Sequence, residues 1–127
     1  MVKIKRIYDP ISPEDGRRIL IDRLWPRGIK KESAHIDEWI KDVAPSTQLR
    51  EWFGHDPAKW EEFKRRYKKE LDGRKDLVDA LRAEARKGTV TLLFAAKDTV
   101  HVNAVVLKEV LEKSAPGRPK KMQRVGA

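Results

Sequence analysis

At 127 residues, 39% hydrophobic and 39% charged, the chain has the length of one domain, enough apolar residues for one core, and a charged fraction well above the roughly 25% of an average globular protein. It contains no cysteine, which excludes a disulfide framework, a thiolate zinc site and a cysteine nucleophile. The formal charge is +9, four of it from Arg118, Lys120, Lys121 and Arg124, so body and tail are both basic and favour anionic partners: nucleic acid or phosphorylated small molecules.

In chain order, Val2, Ile4, Ile7 and Tyr8 predict a first strand ending near Tyr8, where Asp9-Pro10 and Ser12-Pro13-Glu14-Asp15-Gly16 supply turn chemistry. Arg18 to Leu24 carries a compact apolar stretch, too short for a stable helix and closed by Pro26 and Gly28, which predicts a second, buried strand. Ser33 to Ala44 keeps helical spacing at Ile36, Trp39, Ile40 and Val43 and is read as a helix, with a third strand as the alternative.

Ser46 or Thr47 can cap a short helix through Leu49 to Phe53 that Gly54 ends. Asp56-Pro57 starts another, with Trp60, Phe63, Tyr67 and Leu71 on one face, glutamate–arginine pairs on the other, and a stop at Asp72-Gly73. A helix from about Lys75 to Lys87 turns Leu77, Val78, Leu81 and Ala85 inward and stops at Gly88. Thr89 to Ala96 is the nearly continuous apolar run of a central strand covered on both faces. After Lys97-Asp98-Thr99, Val102, Val105, Val106, Val110 and Leu111 mark a last helix ending before Pro116, capped by Asp98 or Thr99. The pattern is that of a single three-layer α/β domain over residues 1–113, a mainly parallel sheet flanked by helices, followed by a basic, disordered tail over 114–127.

In such sheets ligands bind beyond the carboxyl ends of the strands, where loops and helix N-termini present unpaired N–H groups. Two segments fall there. The first, Asp22-Arg23-Leu24-Trp25-Pro26-Arg27-Gly28, offers two guanidinium forks for a phosphate or carboxylate around an indole that can stack on a ring. The competing structural role is a surface turn with Trp25 in the core and arginines paired to Asp22 or Glu14. The second, Lys97 to Asn103, brings Asp98, His101 and Asn103 to the start of the last helix. A histidine opposite Arg23 and Arg27 can act as general acid or base. His55, in the loop Gly54-His55-Asp56-Pro57, is a third candidate, alongside a plain solvated position next to a capping Asp56.

His55, His101 and Asp98 lack the spacing of known metal sites, so no metal and no cofactor is expected. No dinucleotide fingerprint, phosphate loop or Gly-x-Ser-x-Gly elbow occurs. Scarce amides and abundant Lys, Arg and Glu suit a protein from a hot environment. No apolar run reaches the roughly 20 residues of a membrane span, and none of signal-peptide length opens the chain. A cytoplasmic location without a membrane partner is expected.

The segments Arg6-Ile7-Tyr8-Asp9, Asp22 to Gly28, Ala44-Pro45-Ser46, Trp52 to Pro57 and Leu92 to Asp98 followed by His101 to Leu107 resemble the YeaO-like proteins within domain of unknown function 488. The likeness runs from about Lys3 to Lys113 and implies a compact three-layer α/β domain with its site at these segments. Family members have His-Asn-Asn-Ala where this chain has His101-Val102-Asn103-Ala104. Other branches have a cysteine-bearing loop after the corresponding strand; without it, thiol phosphatase and sulfurtransferase chemistry are unavailable here.

Three functions compete. The leading one is an anionic small-molecule or nucleotide-phosphate site, with Arg23, Trp25, Arg27 and Asn103 binding and His101, Asp98 and His55 available for proton transfer; turnover is left open. The second is a nucleic-acid-binding module using the basic body and tail. The third is a protein-interaction domain in which Arg23 and Arg27 form buried structural pairs.

Overall fold

In the computed structural model, which describes residues 1–113, four short strands pair in parallel: β1 (Val2–Arg6), β2 (Arg17–Leu20), β3 (Glu38–Trp39) and β4 (Val90–Phe94), in the order β1-β4-β2-β3. The basic tail from residue 114 lies outside the described residues. β4 is central and wholly buried, as its unbroken apolar run requires, and its Leu92 stands opposite Ile4 on one side and Ile19 on the other. The two flanking strands end earlier than expected. One further bond extends each ladder, from the Ile7 N–H to the Phe94 carbonyl (2.8 Å) and from the Ile21 N–H to the Leu93 carbonyl (3.1 Å).

Side chains alternate across the sheet. Ile19, Ile21, Leu92 and Phe94 join the larger core, built with α2 (Thr47–Phe53), α3 (Trp60–Asp72), α4 (Lys75–Lys87) and α5 (Asn103–Glu112). Ile7, Leu20 and Leu93 face the other way, under Trp25, Ile29, Ile36 and Trp39. That second layer is thin, and among the described residues its helix is the single turn α1 (Lys31–Ala34).

The expected helix over 33–44 is not formed. α1 ends in His35 in the left-handed region (φ 51°), β3 follows, and Lys41–Val43 makes a 3₁₀ turn. The physical reason is the destination of the apolar side chains. Ile36 and Trp39 pack in the thin layer, whereas Ile40 and Val43 pack in the large core. One helical stripe cannot serve both faces of a sheet, but an extended segment at its edge can.

The connection from β1 to β2 crosses β4 with only a 3₁₀ turn, Pro13–Asp15. Buried Asp15 holds it: its carboxylate accepts from Lys5 Nζ (2.8 Å) and Arg18 Nη1 (2.5 Å), and its carbonyl accepts from Thr91 Oγ1 (2.6 Å). Gly16 passes so close that an added Cβ would lie 2.3 Å from the Thr89 carbonyl oxygen, at a φ of 63°. This short crossover leaves the carboxyl ends of β1, β4 and β2 side by side.

Candidate functional site

Those strand ends open on a cavity of about 400 Å³. Tyr8 reaches it from the end of β1, Asp22 to Arg27 from the end of β2, and Ala95, Ala96 and His101 to Asn103 from the end of β4. Ala44 and Pro45 close one side, with Arg50 and Phe53 of α2, His55 just beyond, and Phe63 of α3. Six of the residues singled out from sequence, Arg23, Trp25, Arg27, His55, His101 and Asn103, thus share one wall-to-wall space. Asp98 stands behind His101 rather than on the lining.

Each is held differently. Arg23 is anchored, donating from Nε to the Pro45 carbonyl and from Nη2 to the Ala44 carbonyl, both at 3.3 Å. Trp25 also serves the thin core, its indole N–H donating to the Ile29 carbonyl (2.7 Å) and its ring meeting Trp39 edge to face at 5.4 Å. Arg27 is exposed at the mouth; its carbonyl accepts from the Tyr8 hydroxyl (2.7 Å). Among the described residues, Arg23, Arg27 and Arg50 take part in no ion pair. The arginines therefore do not pair with Asp22 or Glu14.

His55 lies at φ 58°, directly after Gly54 at φ 52°, so the chain leaves α2 through two left-handed residues that turn the imidazole beside Phe53. Such a conformation costs a non-glycine residue on the order of 1 kcal/mol and is held here by its surroundings. Asp56 caps the turn that follows, accepting from the Ala58 N–H at 3.0 Å.

Asp98 and Thr99 do not cap α5. Asp98 Oδ1 accepts the N–H groups of Val100 (2.8 Å) and His101 (2.9 Å), and Oδ2 lies 2.9 Å from His101 Nδ1. These N–H groups and the imidazole hold the Asp98 carboxyl down at about 2. A charged Asp98 fixes the tautomer with hydrogen on Nδ1 and leaves Nε2 for a ligand, while the His101 ring meets the edge of Trp60 at 5.4 Å. α5 begins instead at Asn103 with Val102 in the cap position and no side-chain cap, so its first turn opens uncapped on the cavity at Val102 and Asn103.

Two charged residues of the cavity escaped sequence reasoning. Asp22, read only as an ion-pair partner, forms the floor. Its Oδ2 accepts the Ala95 N–H (2.9 Å), its Oδ1 faces Asn103 Nδ2 (3.4 Å), and its carbonyl accepts the Trp39 indole N–H (2.7 Å). Burial pushes its carboxyl above the usual carboxylate range; the Ala95 and Asn103 donors and the charges of His55 and Arg50 pull the other way without cancelling it. The signal for Asp22 was its place immediately after a buried strand. Arg50 carried no comparable mark, lying mid-helix and entering the cavity only because α2 docks against α3.

Among the described residues, no three His, Asp or Glu side chains gather as a metal ion would require. No helix among them is long and apolar enough to cross a membrane.

Residues 1–123 match the family described as the inactive DUF488-N3 subclade. The chain belongs to that family. It is 43% identical over 110 residues to the uncharacterised protein YeaO of Escherichia coli, covering 87% of this chain and 96% of that one. An uncharacterised protein of Mycobacterium tuberculosis is 41% identical over 110 residues, covering 87% and 92% respectively. These relatives bear out the YeaO-like resemblance. No solved structure matches the chain significantly.

Proposed function

We propose that the cavity binds an anionic small molecule, a phosphate ester or nucleotide phosphate, with Arg27 and Arg50 as its principal charges. The observation that carries this reading is electrostatic. Three guanidinium groups and two imidazoles line one cavity against a single carboxylate, Asp22, and among the described residues neither Arg27 nor Arg50 forms an ion pair. The uncapped start of α5 adds partial positive charge on the same side. Arg23, bonded to two carbonyls, shapes the wall and contributes its charge at longer range. Asp98 and His101 form a hydrogen-bonded pair suited to proton transfer, but the family's description as inactive favours binding without turnover.

Four tryptophans make the protein its own reporter. Tryptophan fluorescence is followed while inorganic phosphate, mononucleotides and a short single-stranded oligonucleotide are added at two salt concentrations. A small anion is expected to give a saturable change, and Arg27→Ala to weaken it about tenfold or more, the loss of one charge-assisted hydrogen bond. A response to the oligonucleotide alone, steeply salt-dependent and indifferent to Arg27, would replace this reading by nucleic-acid binding on the basic surface.

A further inference from the structure

The cavity has two poles. Its floor is the Asp22 carboxylate, with one short bond, from the Ala95 N–H at 2.9 Å, and one long contact, from Asn103 at 3.4 Å. An ionised carboxylate offers about four acceptor positions, so acceptor capacity remains toward the cavity that Asp22 lines. Arg50 and His55 line the same cavity, and Arg27 and Arg50 are both exposed at its rim. The lining also includes the partly buried Trp25 and the buried rings of Phe53 and Phe63. A simple inorganic anion would use the cationic pole and leave the rest of a cavity of about 400 Å³ unfilled.

We propose that the ligand is a nucleoside monophosphate with an amino-bearing base: its phosphate meets Arg27 and Arg50, its planar base lies among the aromatic rings, and the base's N–H edge donates to Asp22. The chemistry at each pole excludes the reverse orientation. A phosphate at the floor would confront a carboxylate, and a base amino group at the mouth would confront guanidinium groups, which only donate. The volume lies within the range of small-molecule sites, and a planar ring gains both apolar burial and face contact there. A half-buried acceptor also discriminates, because a ligand without the N–H covers Asp22 while leaving its remaining acceptor positions unfilled. This inference rests on the anion-binding reading above and adds the identity of the other end of the ligand.

The test compares dissociation constants of adenosine, guanosine and cytidine 5′-monophosphates with those of purine riboside 5′-monophosphate, which has the ring but no N–H donor, and of ribose 5-phosphate. The wild-type protein is expected to bind at least one amino-bearing nucleotide tenfold or more tighter than both reference compounds. In Asp22→Ala, which removes the acceptor, that preference should vanish, with ribose 5-phosphate bound as well as before or better. The ligand comparison stands on wild-type protein alone, so it decides the matter even if the variant does not fold. Equal binding of all five phosphates overturns the reading of the base and leaves the anion site standing. Retention of the preference in folded Asp22→Ala overturns the role of Asp22. Binding of none of them overturns the anion site and this inference together.

Discussion

Replacing Asp15 by Asn removes one charge from the most enclosed ionic contact of the domain. Asp15 and Arg18 are both 4% exposed, and Lys5 completes the group. Asn keeps the size and an acceptor but leaves Arg18 buried without its counter-ion, and breaking such a pair on one side costs about 3–5 kcal/mol. Arg18 retains bonds to the carbonyls of His35 (2.9 Å) and Ala34 (3.3 Å), and Lys5 can turn toward solvent, which places the loss near the lower bound, about 3 kcal/mol. For a domain of this size that lowers Tm by about 10 °C. Thermal unfolding followed by circular dichroism at pH 7 measures it.

The same contact has a pH signature. Burial alone would raise the Asp15 carboxyl, but hydrogen bonds from Lys5, the Ser12 N–H and Arg18 outweigh it and lower it from 3.8 to about 2. A carboxyl lowered by folding contributes stability that is complete above its unfolded value and disappears as pH falls through its folded value. Wild-type protein should therefore lose stability between about pH 4 and pH 2, and Asp15→Asn should lack that component. A variant with the wild-type Tm at pH 7 and the wild-type acid profile would refute this account of the crossover.

Gly16→Ala should destabilise by about 3 kcal/mol or more, since its methyl group meets the Thr89 backbone, whereas Gly28→Ala, with open space around it at φ 78°, should cost about 1 kcal/mol; urea titrations of both variants separate clash from backbone strain. Ser46→Ala removes the α2 cap, whose hydroxyl accepts the Leu49 N–H (3.1 Å) and donates to Glu70 (2.6 Å), and should cost about 1–2 kcal/mol in the same assay. Asp22→Asn should leave Tm unchanged or raised at pH 7. Folding raises the Asp22 carboxyl, so the native state binds that proton more tightly and the ionised form weakens the fold as pH climbs past the raised value. A clear fall in Tm would mean that the Asp22 charge is structural.

The parts of the fold that sequence reveals are those governed by local chemistry. α4 spans Lys75–Lys87 as read, because its apolar spacing and the glycine after it are local signals. β4 follows from its uninterrupted apolar run. Residues 33–44 mislead because identical spacing serves a helix stripe or two sheet faces, and only the sheet beside them decides. The Asp98 cap fails for a related reason: the turn at Val100 and His101 takes up the carboxylate before α5 begins.

At the site, Arg23, Trp25, Arg27, His101 and Asn103 were legible because parallel strands deliver their carboxyl-end loops to one place. Arg50 was not, since the docking of α2 is a tertiary matter. Trp25 combines both roles considered for it, walling the cavity and packing on Trp39. Of the buried pairs expected for a pure interaction domain, Arg23 has carbonyl partners and Arg27 is exposed.

The central claim is that the anion sits between Arg27, Arg50 and the start of α5. Two-dimensional amide and arginine side-chain NMR during a phosphate titration tests it most directly. The account predicts saturable shifts in the Arg27 and Arg50 side chains and in the Asn103 and Ala104 amides. Shifts confined to the lysine- and arginine-rich face of α3, or no saturable shift at all, would contradict it.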